Sequence, residues 1–203
     1  MNLIDDFFII ESLGTKDIND GKIFYDSLNS IKILNPIYTS VDNFNQLIEA
    51  LQEFEKSNYI NLLISTHGDH ENLILNGEVV NTYDLFDVNI KLNNRRIYMS
   101  SCKGGSFLFA KYFIKKGGYS VIGTPDNLSQ FIAVAMWPTF LVLIEQINDF
   151  ITNFSELDKS LRLIVKIYRI RMHYYSFVRG SDKMKEYIYK PGEKKKRNDY
   201  PLG

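Results

Sequence analysis

Short apolar runs alternate with amphipathic segments along this chain of 203 residues, and that rhythm restricts the fold more than any other feature. The runs at residues 7–10, 59–65, 96–100 and 119–123 have the composition of strands that are covered on both faces. Segments with helical spacing of apolar residues lie between them, and the segment 128–150 is also expected to be helical. The sequence therefore predicts one α/β domain with a mostly parallel central sheet.

Composition excludes several other classes of protein. Hydrophobic residues make up 45% and charged residues 24% of the chain, which argues against a disordered chain, a collagen-like repeat or a disulfide scaffold. No apolar run approaches the roughly 18 residues that a membrane span needs, and the first residues lack a positively charged leader. We therefore expect a soluble, cytoplasmic protein with no membrane partner. The single cysteine, Cys102, cannot form an internal disulfide.

Charge is distributed unevenly although the formal net charge is zero. Through residue 154 there are 11 Lys and Arg against 18 Asp and Glu, and after it 13 against 6. We divide the chain into a domain at 1–189 and a basic, mobile tail at 190–203. A nucleic-acid contact of the tail is the alternative, and a single short basic run argues for it only weakly. The basic face of the predicted helix at 155–171 is either solvated or a docking surface for an acidic partner.

Two of the predicted strands end in residues that can carry chemistry. The first is followed by His67 and Gly68, and the second by Cys102, 35 residues after the histidine. Functional groups in open parallel sheets gather at the carboxyl ends of the strands. If the two strands are neighbours, the imidazole and the thiol lie side by side.

A Cys–His pair has a direct chemical purpose. An imidazole can take the proton of a thiol to produce a stronger nucleophile, and can later return a proton to a leaving amine. The backbone N–H groups of Gly68 and Cys102 could then hold the developing oxyanion, while Gly104 and Gly105 leave space beside the nucleophile. Taken singly, a cysteine at a strand end is more often a small buried hydrophobe, so only the pair of cysteine and histidine indicates catalysis.

A metal site is a weaker interpretation of the same region. His70, Asp69 and Glu71 lie close to His67 in sequence, but His173 is the only other histidine and there is no cysteine pair. We expect no metal and no cofactor. Asp69 or Glu71 could orient the imidazole, although side chains at adjacent loop positions usually point to solvent. The chain also lacks a glycine-rich phosphate loop.

The order of these pieces resembles the caspase-like (clan CD) cysteine peptidases, and within them the CHAT peptidases. The matching stretches are residues 65–68, the Asn76-Gly77 hairpin followed by Leu85, residues 101–105, residues 119–124, the helix with Phe140, and residues 173–180. The resemblance implies a caspase-like three-layer α/β/α sandwich and a cysteine endopeptidase that acts on a protein substrate without a cofactor. It also implies a regulated effector that a partner protein or ligand activates, in bacterial antiviral defence.

Departures from the family pattern affect substrate preference more than the pair itself. Caspases carry a Gln two places before the cysteine to accept aspartate at P1, and this chain has Ser100 there. Ser100 and Asp126 are therefore our candidate substrate-binding residues. Asp126 either favours a basic P1 residue or is simply part of a turn. The alternative function is a catalytically silent caspase-like subunit that binds a partner.

Overall fold

The computed structural model describes residues 4–31, 34–145, 154–193 and 195–202. In chain order its elements are β1 (Ile4–Ser12), α1 (Asp20–Asn29), β2 (Ile37–Ser40), α2 (Phe44–Lys56), β3 (Tyr59–Gly68), β4 (Asn72–Leu75), β5 (Glu78–Asn81), α3 (Thr82–Asp87), β6 (Arg96–Ser100), α4 (Phe107–Lys115), β7 (Ser120–Gly123), α5 (Gln130–Glu145), α6 (Phe154–Tyr168), β8 (Met172–Phe177), β9 (Lys183–Tyr189) and β10 (Lys196–Pro201). The last five residues of the helix predicted at 128–150 lie outside the described residues.

The central sheet has the strand order β10-β9-β8-β7-β6-β3-β1-β2. The pairs from β7 to β2 are all parallel, and the pairs from β7 to β10 are antiparallel. The hairpin of β4 and β5 projects from the end of β3. Its turn is formed by Asn76 and Gly77, both at positive φ, as the Asn-Gly signal predicts.

Side chains of the central strands point alternately to the two faces of the sheet, and helices on both faces complete three layers. In β1, Phe8 and Ile10 pack into one core cluster, and Phe7 and Ile9 into the other. Successive side chains of a strand point to opposite faces, so a run that is apolar at every position must be covered twice. Helices α2, α3 and α4 cover one face of the sheet, and α1, α5 and α6 cover the other. The predicted mostly parallel sheet between helix layers is confirmed.

The C-terminal segment differs from the predicted mobile tail. Residues 196–201 form β10, which pairs with β9 over six residues and extends the sheet. Tyr200 packs edge-on against Phe107 at a ring distance of 5.0 Å, and Leu202 is buried. These two apolar contacts hold the segment in place. They are not predictable from the sequence, because the residues that precede them are mostly basic. Lys194, which belongs to that run, lies outside the described residues.

Helix α5 is the most apolar helix of the fold, yet it has only 16 residues. Across the described parts of the chain, none of the helices combines the length and the apolar run that crossing a bilayer requires.

Candidate active site

Three neighbouring strands deliver the candidate residues to one edge of the sheet. Ser65 of β3 is in register with Ser100 of β6, so His67 and Cys102 each lie two residues beyond this pair. On the other side of β3, β1 ends at Ser12, and the loop that follows it leads into α1. His67 and Cys102 line the same cleft, together with residues from the loop and first helical turn that follow β1. The predicted adjacency of the two strands is confirmed.

The imidazole of His67 is oriented by an acid that the sequence did not reveal. Nε2 of His67 lies 3.0 Å from Oδ2 of Asp17, in the loop between β1 and α1. Asp17 also accepts hydrogen bonds from the Gly14 amide at 2.8 Å and from Nε2 of Gln130 at 3.0 Å. The hydrogen bond to His67, followed by that from Gln130, lowers the pKa of Asp17. Since Nε2 is engaged by a carboxylate, Nδ1 is the nitrogen left to accept a proton.

The thiol of Cys102 contacts the segment that precedes α5. The amide nitrogen of Leu128 lies 3.3 Å from Sγ, and the carbonyl oxygen of Leu128 lies 3.6 Å from it. Within the described residues, no hydrogen bond joins this thiol to His67; the imidazole is bonded to Asp17 instead. The backbone amide of Cys102 likewise donates to no backbone acceptor in the described parts of the chain, so it is free to serve an oxyanion.

The chain turns sharply around Cys102, over residues 101–105, which we call the Cys102 turn. Lys103 has a φ of 57°, in the left-handed region that non-glycine residues rarely adopt. A Cβ at Gly105 would lie 2.3 Å from the carbonyl oxygen of Gly123, so the turn packs directly on the end of β7. Glycine at this position therefore permits a close approach between two backbones.

Gly68 follows His67 where β3 pairs with β4. The amide of Asp69 donates to the carbonyl of Asn72, so the preceding pair, Gly68 with Leu73, is a non-hydrogen-bonded pair. The Gly68 N–H therefore faces away from β4. A Cβ at Gly68 would lie 2.8 Å from the Asn72 carbonyl oxygen, so no side chain fits without a shift of the backbone.

A second acid is buried in the cleft. Asp20, in the first turn of α1, is 5% exposed and lines the cleft beside His67 and Cys102. Ser65 donates to its Oδ1 at 2.7 Å, and Ser100 donates to its Oδ2. Burial raises the pKa of Asp20, and the two serine hydrogen bonds act in the opposite direction. Ser100 thus lines the cleft, and its hydroxyl is hydrogen-bonded to Asp20.

Asp126 is not among the residues that line this cleft. Its carboxylate forms a two-point ion pair with Arg171, whose Nε lies 3.0 Å from Oδ2. The hydrogen bond from Arg171 lowers the pKa of Asp126. Its main-chain carbonyl accepts from the amide of Lys103, so the residue supports the Cys102 turn through its backbone. The acid that was our candidate for substrate recognition is therefore already neutralised, and Asp20 is the acid in the cleft.

The cleft itself is small. Its volume is about 30 Å³, and Leu128, Gln130 and Ala133 contribute to its wall. Asp69, one of the acids that could have oriented the imidazole, accepts hydrogen bonds from Asn72 and from the amide of Glu71 instead. In the described ranges, no group of three His, Cys, Asp or Glu residues is arranged to hold a metal ion.

The two acids that sequence reasoning missed share one signal. Asp17 and Asp20 follow the first apolar run, and the rule that functional groups collect at carboxyl strand ends applies to that run as well. What the sequence could not indicate is that β1 lies directly beside β3.

Comparisons with known proteins support the fold. The crystal structure of the Arg-specific cysteine proteinase gingipain R (RgpB) matches 97% of this chain and 66% of its own chain, at 9% identity and a TM-score of 0.57. The complex of Porphyromonas gingivalis RgpB pro- and mature domains matches 97% and 68%, at 9% identity and a TM-score of 0.55. The chain therefore has the caspase-like α/β fold of these proteinases and spans about two thirds of the gingipain chain. A comparison of the sequence with protein-family models and with curated proteins finds no match.

Proposed function

We propose that this protein is a cysteine endopeptidase in which Cys102 is the nucleophile and His67 the general base. The observation that carries the proposal is the convergence of Cys102, His67 and the Asp17 carboxylate beyond the ends of three adjacent strands. The fold shared with a cysteine proteinase adds support. The narrower resemblance to the CHAT peptidases remains a prediction from sequence.

The proposed reaction proceeds in two halves. His67 Nδ1 accepts the proton of the Cys102 thiol, and the thiolate attacks the scissile carbonyl carbon to form a carbon–sulfur bond. The amides of Gly68 and Cys102 donate to the resulting oxyanion, while Asp17 stabilises the imidazolium. His67 then protonates the leaving amine as the carbon–nitrogen bond breaks. Water, deprotonated by His67, hydrolyses the thioester and regenerates the thiol. No cofactor takes part in this scheme.

We further propose that the enzyme prefers a basic residue at P1. Asp20 is a buried carboxylate in the cleft wall, and two serine hydroxyls hold it there. A cationic side chain would offset the burial that raises the pKa of this acid. The similar gingipain is described as Arg-specific, which agrees with this preference.

Regulation is part of the proposal, as expected for an effector that a partner protein or ligand activates. The cleft of about 30 Å³ is narrow and has room for about two water molecules. The Leu128 backbone contacts the thiol, and Gln130 bonds to Asp17, so the regulation that we propose is a displacement of residues 128–130 that widens the cleft for a substrate. A role in antiviral defence rests on the CHAT resemblance alone.

The test compares the wild type with Cys102→Ala and His67→Ala, and uses His70→Ala as the matched control for the loss of an exposed histidine. We expect the wild type and His70→Ala to cleave peptides with Arg or Lys at P1, and the other two variants to cleave none. Each protein is assayed alone and with the products of the neighbouring genes, since a partner is expected to open the cleft.

Labelling with a peptide acyloxymethyl ketone that carries Arg at P1 separates the alternatives. Covalent labelling of Cys102 that requires His67 supports the peptidase. If all four proteins behave alike in cleavage and labelling, the peptidase proposal is lost and a silent binding subunit remains.

A further inference from the structure

A buried carboxylate that the proposed reaction does not use is linked to the Cys102 turn. Glu186 of β9 is 5% exposed, and four side chains surround its two oxygens. The nearest atoms belong to His173 at 3.0 Å, Tyr175 at 2.7 Å, Asn198 at 2.8 Å and Tyr200 at 3.0 Å. Burial acts to raise the pKa of Glu186, but hydrogen bonds from His173, Tyr175 and Asn198 outweigh it and lower the pKa to about 2.

Tyr175 joins this carboxylate to the Cys102 turn. Its hydroxyl lies 2.7 Å from Oε1 of Glu186, 3.1 Å from Nδ1 of His173 and 3.2 Å from the carbonyl oxygen of Gly105, so Glu186 is its nearest acceptor and the turn lies within hydrogen-bond distance. Tyr175 is 1% exposed, and its ring therefore has little freedom to leave this position. A carboxylate that attracts the hydroxyl thus also determines where the hydroxyl meets the turn.

The Cys102 turn needs such support because its backbone is strained. Lys103 adopts a positive φ immediately after the nucleophile, and conformations of this kind persist only where the surroundings enforce them. The amides of Gly105 and Lys103 bond the turn to the carbonyls of residues 124 and 126. Tyr175 adds a side-chain contact to the Gly105 carbonyl, so the turn is held through its acceptors as well as its donors.

The C-terminal strand supplies two of the groups that hold Glu186. Asn198 and Tyr200 alternate along β10 with Arg197 and Asp199, so the two pairs lie on opposite faces of the strand. The first pair contacts Oε2 of Glu186, and the second pair forms an exposed ion pair of its own. The last strand of the sheet is therefore connected to the Cys102 turn through two side chains, those of Glu186 and Tyr175.

We propose that Tyr175 is a positioning residue for the reaction, that Glu186 orients it, and that β10 is required for full activity through Asn198 and Tyr200. This inference rests on the proposed peptidase function. These residues act through the Cys102 turn, which they hold so that the Cys102 amide and thiol keep the positions that attack on a carbonyl requires.

The central test is Tyr175→Phe, with Tyr189→Phe as the matched control. Both tyrosines are buried and both hydroxyls donate to a carboxylate, but Tyr189 bonds to Asp158 and has no bond to the turn. We expect Tyr175→Phe to lower kcat about tenfold with KM unchanged, because misplacement of the reacting groups affects the chemical step. Hydrogen exchange of the amides at 103–105 should become faster in this variant and remain unchanged in Tyr189→Phe.

A second pair of variants guards against a general loss of folding. Asn198→Ala combined with Tyr200→Phe keeps the β10 backbone and the ring at position 200, and we expect it to lower kcat about threefold. Arg197→Ala combined with Asp199→Ala is the control on the other face of the strand and should leave kcat unchanged.

The outcomes are distinguishable from failure of the proposed function. Equal kcat values for Tyr175→Phe and Tyr189→Phe, or for the two β10 double variants, would overturn the inference. If the wild type cleaves no peptide, the proposed function fails, but hydrogen exchange still tests the role of Tyr175. Unchanged exchange of the amides at 103–105 in Tyr175→Phe would mean that the tyrosine does not hold the Cys102 turn.

Discussion

Replacement of Asp20 by asparagine tests the electrostatic basis of substrate selection. The carboxylate is 5% exposed and both of its oxygens accept a serine hydroxyl. The amide keeps the shape and removes the charge, and its nitrogen donates to one of the two serine hydroxyls instead of accepting from it. Hydrogen bonds that involve a charged group contribute about 1.5–3 kcal/mol, which corresponds to a loss of about 10- to 150-fold in kcat/KM for a P1 Arg peptide. A peptide with Gln at P1 should be affected little, because it carries no charge to pair.

The same substitution should stabilise the protein at neutral pH. Burial raises the pKa of Asp20, so ionisation of the folded state costs stability as the pH rises from the ordinary Asp pKa through the raised one. The Asp20→Asn variant lacks that cost, and its gain should vanish at acidic pH, where the carboxyl is protonated in both states. Activity against Arg substrates therefore falls while the melting temperature at pH 7 rises.

Two measurements decide the matter: kcat/KM for the Arg and Gln peptides, and thermal unfolding at several pH values. Asp126→Asn is the control, since that acid is paired with Arg171 outside the cleft. Asp20 does not select the P1 residue if Asp20→Asn reduces cleavage of both peptides equally, or if Asp126→Asn abolishes the preference for Arg and Asp20→Asn does not.

Three further changes have defined consequences. Asp17→Asn should lower kcat about 10- to 100-fold with little change in KM, because the imidazolium of His67 loses its carboxylate. Since the pKa of Asp17 is lowered, ionised Asp17 stabilises the fold above the ordinary Asp pKa, and this effect is lost as the pH falls. The free energy of unfolding of the variant should therefore change less with pH in the acidic range than that of the wild type. An unchanged pH dependence would contradict this. Gly68→Ala should destabilise the fold by about 1–3 kcal/mol in urea titrations, because the new Cβ meets a carbonyl of β4. A variant as stable as the wild type would show that the β4 backbone can shift to accommodate the Cβ. Gln130→Ala should make alkylation of Cys102 by iodoacetamide several times faster, because the segment over the thiol loses its bond to the loop after β1; a slower reaction would argue against a closed cleft.

Periodicity alone was sufficient to predict the central part of the fold. A strand that is apolar at every position, such as the one that includes Ile10, can only be buried on both faces, and this requires helices above and below the sheet. The strand-end rule then places His67 and Cys102 at one edge. Both inferences use the local sequence pattern and the general geometry of parallel sheets, so they do not require knowledge of the tertiary contacts.

The antiparallel strands β8 to β10 were not recognisable in this way. Their burial alternates irregularly, and charged residues occupy half of the positions of β10. What holds β10 in place, besides its pairing with β9, is a tyrosine ring on Phe107 and the burial of Leu202. Contacts with residues far away in the chain leave no local pattern, so composition suggested a mobile tail where the sheet continues.

The amino-acid order by itself determined the layered α/β architecture, the sole thiol and the two strand ends that carry the histidine and the cysteine. Only the tertiary structure decided which acids serve them. Asp17 reaches His67 and Asp20 reaches the cleft because β1 lies beside β3. Asp126 lies outside the cleft, and Arg171, 45 residues away, neutralises its charge. Electrostatic pairing depends on distance in space. The residues next to a carboxylate in the sequence therefore do not indicate which charged group it will contact in the folded protein.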